Sequence, residues 1–160
     1  FKASTLLFDV PGRFNQYKVQ ISGDPETGKD AKVRLEIESR SIDTNNQARD
    51  KHLRSDDFFD VVKFPKIVFT SESVTRQGDK VVVQGTLDLH GVKKPVTLPF
   101  SVVAAKNGGG YLEHVFKAEL PLSRKDFAVG ADSVAAKISM KDDVQLSIIL
   151  AGFFEAPKAK

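Results

Sequence analysis

From residue 31 the chain alternates apolar and charged side chains. Ala31, Val33, Leu35 and Ile37 fall on one side, and Lys32, Arg34, Glu36 and Glu38 on the other. A period of two marks a half-buried strand. The same alternation recurs at residues 67–69, 81–89, 96–102, 116–120 and 144–148. With the N-terminal stretch it predicts about eight strands. Between them lie residues suited to tight turns, at 24–28, 77–79, 90–94 and 107–110, so consecutive strands are expected to be antiparallel neighbours. Residues 44–60 break the rhythm. They are polar and helix-compatible, which predicts a short helical segment near residues 46–60 with Leu53, Phe58 and Phe59 turned inward.

Such a pattern is all-β. A single antiparallel sheet of about eight strands either splits into two packed layers or closes on itself, and closure removes exposed edges. The expectation is therefore an eight-stranded antiparallel barrel over residues 1–155, followed by a frayed tail at 156–160. Its inner wall would be Val33, Leu35, Ile37, Ile67, Phe69, Val83, Leu87, Leu98, Phe100, Phe116, Leu120, Leu146 and Ile148. Gly85, Ala31, Ala118 and Ala136 fall on or beside this face. Small residues there either leave volume for a ligand or make room for the 12 phenylalanines and the bends of the sheet; alternation alone leaves both open.

Composition narrows the chemistry. With no cysteine there is no disulfide, thiolate metal site or cysteine nucleophile. The net charge is +3, but cations and acids are interleaved, with none of the concentrated positive stripe that nucleic-acid binding uses. The longest apolar run, residues 148–154, is too short to span a bilayer as a helix. His52, His90 and His114 lack metal-ligand spacing, no G-x-S-x-G is present, and Gly108-Gly109-Gly110 lacks the lysine and helix of a phosphate loop. No enzyme is predicted and no cofactor is required. Arg40, Arg49, Lys51 and Arg54 form either a solvated face paired with Asp50, Asp56 and Asp57 or a ring of donors for a polar head group.

The polar stretch at residues 41–60, followed by Phe64-Pro65-Lys66-Ile67-Val68-Phe69, closely resembles the signature of the YceI-like family. Residues 85–96, 122–130 and 140–144 resemble its later segments, so the likeness spans nearly the whole chain. The resemblance implies a lipocalin-like barrel with a hydrophobic tunnel for an isoprenoid chain, such as a quinone or a polyprenyl phosphate. It also implies an exported bacterial protein, periplasmic or secreted, a setting that a removed signal peptide before Phe1 would explain. Arg49, Asp50, His52, Leu53, Arg54, Phe58 and Phe59 would then hold the barrel end or border the ligand. The chain departs from the pattern at its front: the family's upstream strand start does not appear before Phe1, and a histidine usual shortly afterwards is replaced near Thr5.

The expected ligand site joins the wall residues above to Leu53 and Phe58, with Arg49, His52 and Arg54 as head-group candidates. A filled barrel serving as a structural or interaction domain is the alternative, and an enzyme acting on a lipid or sugar a weaker one. A homodimer is left open by the sequence.

Overall fold

In the computed structural model, which describes residues 1–24, 27–108 and 111–155, alternation becomes sheet almost everywhere it occurs. The strands are β1 (Lys2–Thr5), β2 (Asp9–Pro11), β3 (Arg13–Phe14), β4 (Tyr17–Ser22), β5 (Lys32–Glu38), β6 (Ile42–Asp43), β7 (Lys66–Gln77), β8 (Lys80–Leu89), β9 (Val92–Gly108), β10 (Tyr111–Ser123) and β11 (Met140–Glu155). Among the described residues two short α-helices interrupt them, α1 (Gln47–Leu53) and α2 (Val134–Ser139), with 3-10 turns at Ser39–Ser41 and Lys125–Phe127.

Nine strands form one antiparallel sheet in the order β2-β1-β11-β10-β9-β8-β7-β5-β4, and β3 pairs with β6 as a small second sheet. This corrects the expected closed eight-stranded lipocalin-like barrel: the sheet is an open half-barrel. The reason lies in its ends. β1 meets β11 only near the start of that strand, at Met140, Val144 and Gln145. Beyond this, among the described residues, β11 has β10 alone as neighbour, while β4 pairs only with β5. Alternation specifies which face each residue takes, but not that the first and last strands meet.

Turn chemistry explains the long meander. His90 and Gly91 both have positive φ, 54° and 75°, between the paired residues Leu89 and Val92, as a type I′ hairpin turn requires. Gly78, φ 59°, turns β7 into β8. Of the other expected turns, Pro25, Glu26, Gly109 and Gly110 lie outside the described residues, as does the tail at 156–160. The expected helical segment is one seven-residue helix followed by turns. Asn46 caps α1 by accepting the Arg49 N–H at 3.0 Å.

α2 was not anticipated. Ser133 caps it by accepting the Ala136 N–H at 3.2 Å. Its sequence, VAAKIS, shows no inward apolar period because Ala136 is its buried residue while Val134 and Ile138 face out.

The inward face divides into two regions. At one end Phe69, Val81, Val83, Leu98, Phe100, Phe116, Ala118 and Leu120 pack against each other in a filled cluster. At the other, Phe58, Ile67, Leu89, Phe127, Val129 and Ala136 form a second cluster where α1 and α2 approach the sheet. Gly85 belongs with the packing. A Cβ there would overlap the Thr70 carbonyl oxygen and the Phe69 ring, so the glycine admits close backbone and ring contact rather than leaving space. A β-bulge between Ser71 and Ser73 lies directly opposite it. Ala118, 1% exposed, is likewise enclosed.

Candidate functional site

Between the two clusters the concave face leaves a cavity of about 570 Å³, within the range of about 300–1,000 Å³ common for small-molecule sites. Its wall is largely apolar and is drawn from across the sheet: Leu35 and Ile37 on β5, Ile67 and Phe69 on β7, Leu87 and Leu89 on β8, Val96 and Leu98 on β9, and Leu146 and Ile148 on β11. Alternation puts these residues on one face of the sheet, and all of them line the one cavity.

Of the expected wall, Leu35, Ile37, Leu53, Phe58, Ile67, Phe69, Leu87, Leu98, Leu146 and Ile148 line the cavity. Val83, Phe100, Phe116 and Leu120 lie in the filled cluster, and Val33 packs against it. Several wall residues had no signal in the alternation of the long strands. Ala3, Thr5, Phe8 and Val10 come from the first two short strands and their turn, and Phe14, Tyr17 and Ile42 from the segments beside α1. Phe14 also meets Phe59 edge to face, with ring centroids 5.9 Å apart. Both Ser147 and Ile149 line the cavity together with Leu146, Ile148 and Leu150. Neighbours from opposite faces thus share one cavity along the flank of β11 that, among the described residues, no strand pairs.

Thr44, Arg49 and His52 bring part of the polar lining together near α1. Arg49 donates from Nε to Thr44 Oγ1 and from Nη2 to the Thr44 carbonyl, both at 2.8 Å. The buried Asp50 accepts the Thr44 N–H at 2.9 Å and the Thr44 hydroxyl at 2.5 Å. Thr44 thus links strand β6 to the helix through two side chains of the polar motif. His52 bonds Asp57 at 3.0 Å through Nε2 and meets the Phe58 ring edge-on. Arg54 is not on the wall. Its guanidinium donates to the carbonyls of Arg40 and Ile42, bracing the chain that leads into α1. The motif therefore combines two tasks: Asp50 and Arg54 hold this end together, whereas Arg49, His52, Leu53, Phe58 and Phe59 border the cavity.

Arg124, 5% exposed, also borders the cavity, but its donors are engaged. They reach the carbonyls of Lys141, Val129, Gly130 and Ala136 and the Asp142 carboxylate at 3.1–3.4 Å. It ties down the crossover between β10 and β11, and its position in Leu122-Ser123-Arg124-Lys125-Asp126-Phe127 is a signal that strand alternation does not weigh. Asp43 accepts from the Asn45 N–H at 2.9 Å, from Asn15 at 3.1 Å and from Arg13 at 3.2 Å. These bonds, that of Asn45 foremost, hold its carboxyl below the usual aspartate range. The three histidines stay apart, and among the described residues no group of His, Cys, Asp and Glu is arranged to hold a metal. Nor is any described helix long and apolar enough to cross a membrane.

Comparison with known proteins decides the kinship. The YceI-like domain matches residues 1–151. The chain belongs to the YceI-like family. Protein YceI of Salmonella arizonae is 38% identical over 122 residues, 76% of this chain and 64% of that protein's length, so the match spans less than two thirds of that relative. Among solved structures of the family, the Campylobacter jejuni YceI protein superposes with a TM-score of 0.83 at 28% identity, covering 94% of this chain and 88% of the other. A polyisoprenoid binding domain from Saccharophagus degradans, implicated in plant cell wall breakdown, shares the fold with a TM-score of 0.71 at 19% identity, over 98% of this chain and 91% of that one.

Proposed function

We propose that this chain holds a long apolar lipid of isoprenoid type in the cavity of the half-barrel, for transport, storage or protection, and performs no chemistry on it. The observation that carries the reading is the hollow itself: between the packed cluster at one end of the inward face and the second cluster where α1 and α2 approach the sheet, the face leaves a cavity with a largely apolar lining. A fold relative is a polyisoprenoid binding domain, and the apolar wall here suits the same class of ligand. In this reading Leu35, Ile37, Phe69, Leu87, Leu98, Leu146 and Ile148 contact the hydrocarbon, while Arg49 and His52 face the polar end, whether quinone oxygen or phosphate. Arg54 and the filled-cluster residues support the wall from behind. Membership of the family also favours work outside the cytoplasm, in a bacterial periplasm or secreted.

Non-directional contact suffices for such a ligand. Each buried methylene contributes about 0.8 kcal/mol, so one isoprene unit offers a few kcal/mol before the costs of binding. The test is titration of lipid-stripped protein with quinones of increasing isoprenoid length. Affinity is expected to rise with each unit until the cavity is full, then level off. Leu87→Lys is expected to abolish retention and Thr86→Lys, on the outer face, to preserve it. Equal retention in both variants, or affinity independent of chain length, would overturn the reading.

A further inference from the structure

Two elements at the cavity's rim are built inside out. Helix α2 buries Ala136 completely and turns Ala135 and Ser139 to the cavity, yet exposes its larger apolar residues, Val134 at 69% and Ile138 at 71%. A water-facing helix of this composition would bury the valine and isoleucine and expose the alanines. The turn between β1 and β2 shows the same inversion. Its tip is Leu6-Leu7-Phe8, exposed at 71%, 89% and 59%, where turns ordinarily carry Gly, Asn, Asp or Ser.

This tip is held by local bonds. Thr5 Oγ1 donates to the Phe8 carbonyl at 2.7 Å and accepts the N–H groups of Leu7 and Phe8 at 3.3 and 3.1 Å. The three apolar side chains are therefore presented outward by a prebuilt turn. The two elements are joined, since the Leu6 N–H donates to the Ser139 carbonyl at 2.9 Å. Phe8 is both exposed and part of the cavity wall, so the cavity reaches solvent at this rim.

We propose that the Leu6–Phe8 turn and the outer face of α2 form a docking surface for an anionic phospholipid bilayer, setting the mouth of the cavity on the membrane. The proposal rests on the lipid-holding reading: a ligand with negligible solubility in water must come from a lipid phase, and an apolar rim continuous with the cavity spares it a passage through water. Charge agrees. From Leu6 to Phe8 and from Val134 to Ser139 the one charged residue is Lys137, with Lys141 just beyond. Asp9, beside the turn, is neutralised by Lys2 at 3.0 Å. Asp132 lies at the far, N-terminal end of the helix. Exposed aliphatic and aromatic side chains flanked by lysine insert at the headgroup boundary, with the cation toward anionic lipid.

The experiment is flotation of the full chain with phosphatidylcholine vesicles with and without phosphatidylglycerol, with the oligomeric state followed by light scattering. Wild type is expected to float with the phosphatidylglycerol vesicles, and the double variant Leu7→Glu/Ile138→Glu to lose at least about tenfold in partitioning. Both sites are largely exposed, so the fold is expected to persist, checked by circular dichroism. Val103→Glu, at a surface position on β9, is expected to float like wild type. Leu87→Lys should lose cavity lipid yet still float, so a failure of lipid holding reads separately from a failure of docking. The proposal is overturned if wild type floats with neither vesicle, if the double variant floats like wild type, or if that variant splits a dimer without changing vesicle binding. The last result would assign the patch to a second copy.

Discussion

Val83 and Leu87 lie on the same strand and the same face, four residues apart, yet one is locked in a filled cluster and the other borders a hollow. The filled half has facing rings and branched chains in contact: Phe100 opposite Val81, and Ala118 opposite Phe100 where it leaves room for the ring. Around the hollow the lining comes from the strands together with Arg49, His52 and Leu53 of α1 and Ala135, Ala136 and Ser139 of α2. The contrast teaches that one sheet of ordinary core residues can be scaffold at one end and container at the other. What separates them is which neighbours face them: other strand residues in the cluster, and the open cavity in the hollow.

The contrast should break most visibly on truncation. Phe100→Ala, in the filled half, is expected to cost about 3–5 kcal/mol, because it opens a void in a packed cluster. Leu87→Ala, which only enlarges an existing hollow, is expected to cost about 1–2 kcal/mol, chiefly lost transfer energy. Urea unfolding of the lipid-free proteins compares them, and equal losses would erase the distinction.

Enlargement should sharpen it with smaller effects. Val83→Phe is expected to overpack and cost about 1–3 kcal/mol, while Ile148→Phe is accommodated for less than about 1 kcal/mol. The second variant should nonetheless shorten the longest quinone chain that binds, read from the same chain-length series.

The smallest effect concerns the chain that frames the polar end. Since Asp43 is held below the ordinary aspartate range by the Asn45 N–H, then by Asn15 and Arg13, its folded-state pKa is lower than its unfolded one. Its contribution is present above the unfolded value, about 4, and is lost as pH falls through the folded one. Acid unfolding of Asp43→Asn should therefore show a slightly shallower decline below about pH 4 than wild type.

Much of this was legible. The alternation in β5, β7, β8 and β11 gave the correct inward face, because a half-buried sheet leaves no other place for those side chains. The polar stretch at 41–60 marked the end of the cavity. That the sheet stays open was not legible, since strands pair through backbone groups that every residue carries and alternation does not say which edge strands meet. Nor was the boundary between filled and hollow halves, because Val83 and Leu87 are the same kind of residue on the same face of one strand. Gly85 left two readings open, and only its contact with Phe69 and Thr70 decided between them. Helix α2 escaped notice because its apolar residues face away from the protein.

The most direct test of the central claim is to purify the protein from a bacterial host, record its mass under native conditions, and extract and identify what it carries. The account predicts one long isoprenoid chain per protein, lost in Leu87→Lys and kept in Thr86→Lys. Protein that stays empty even after incubation with host lipids would contradict it and leave the hollow half without an occupant.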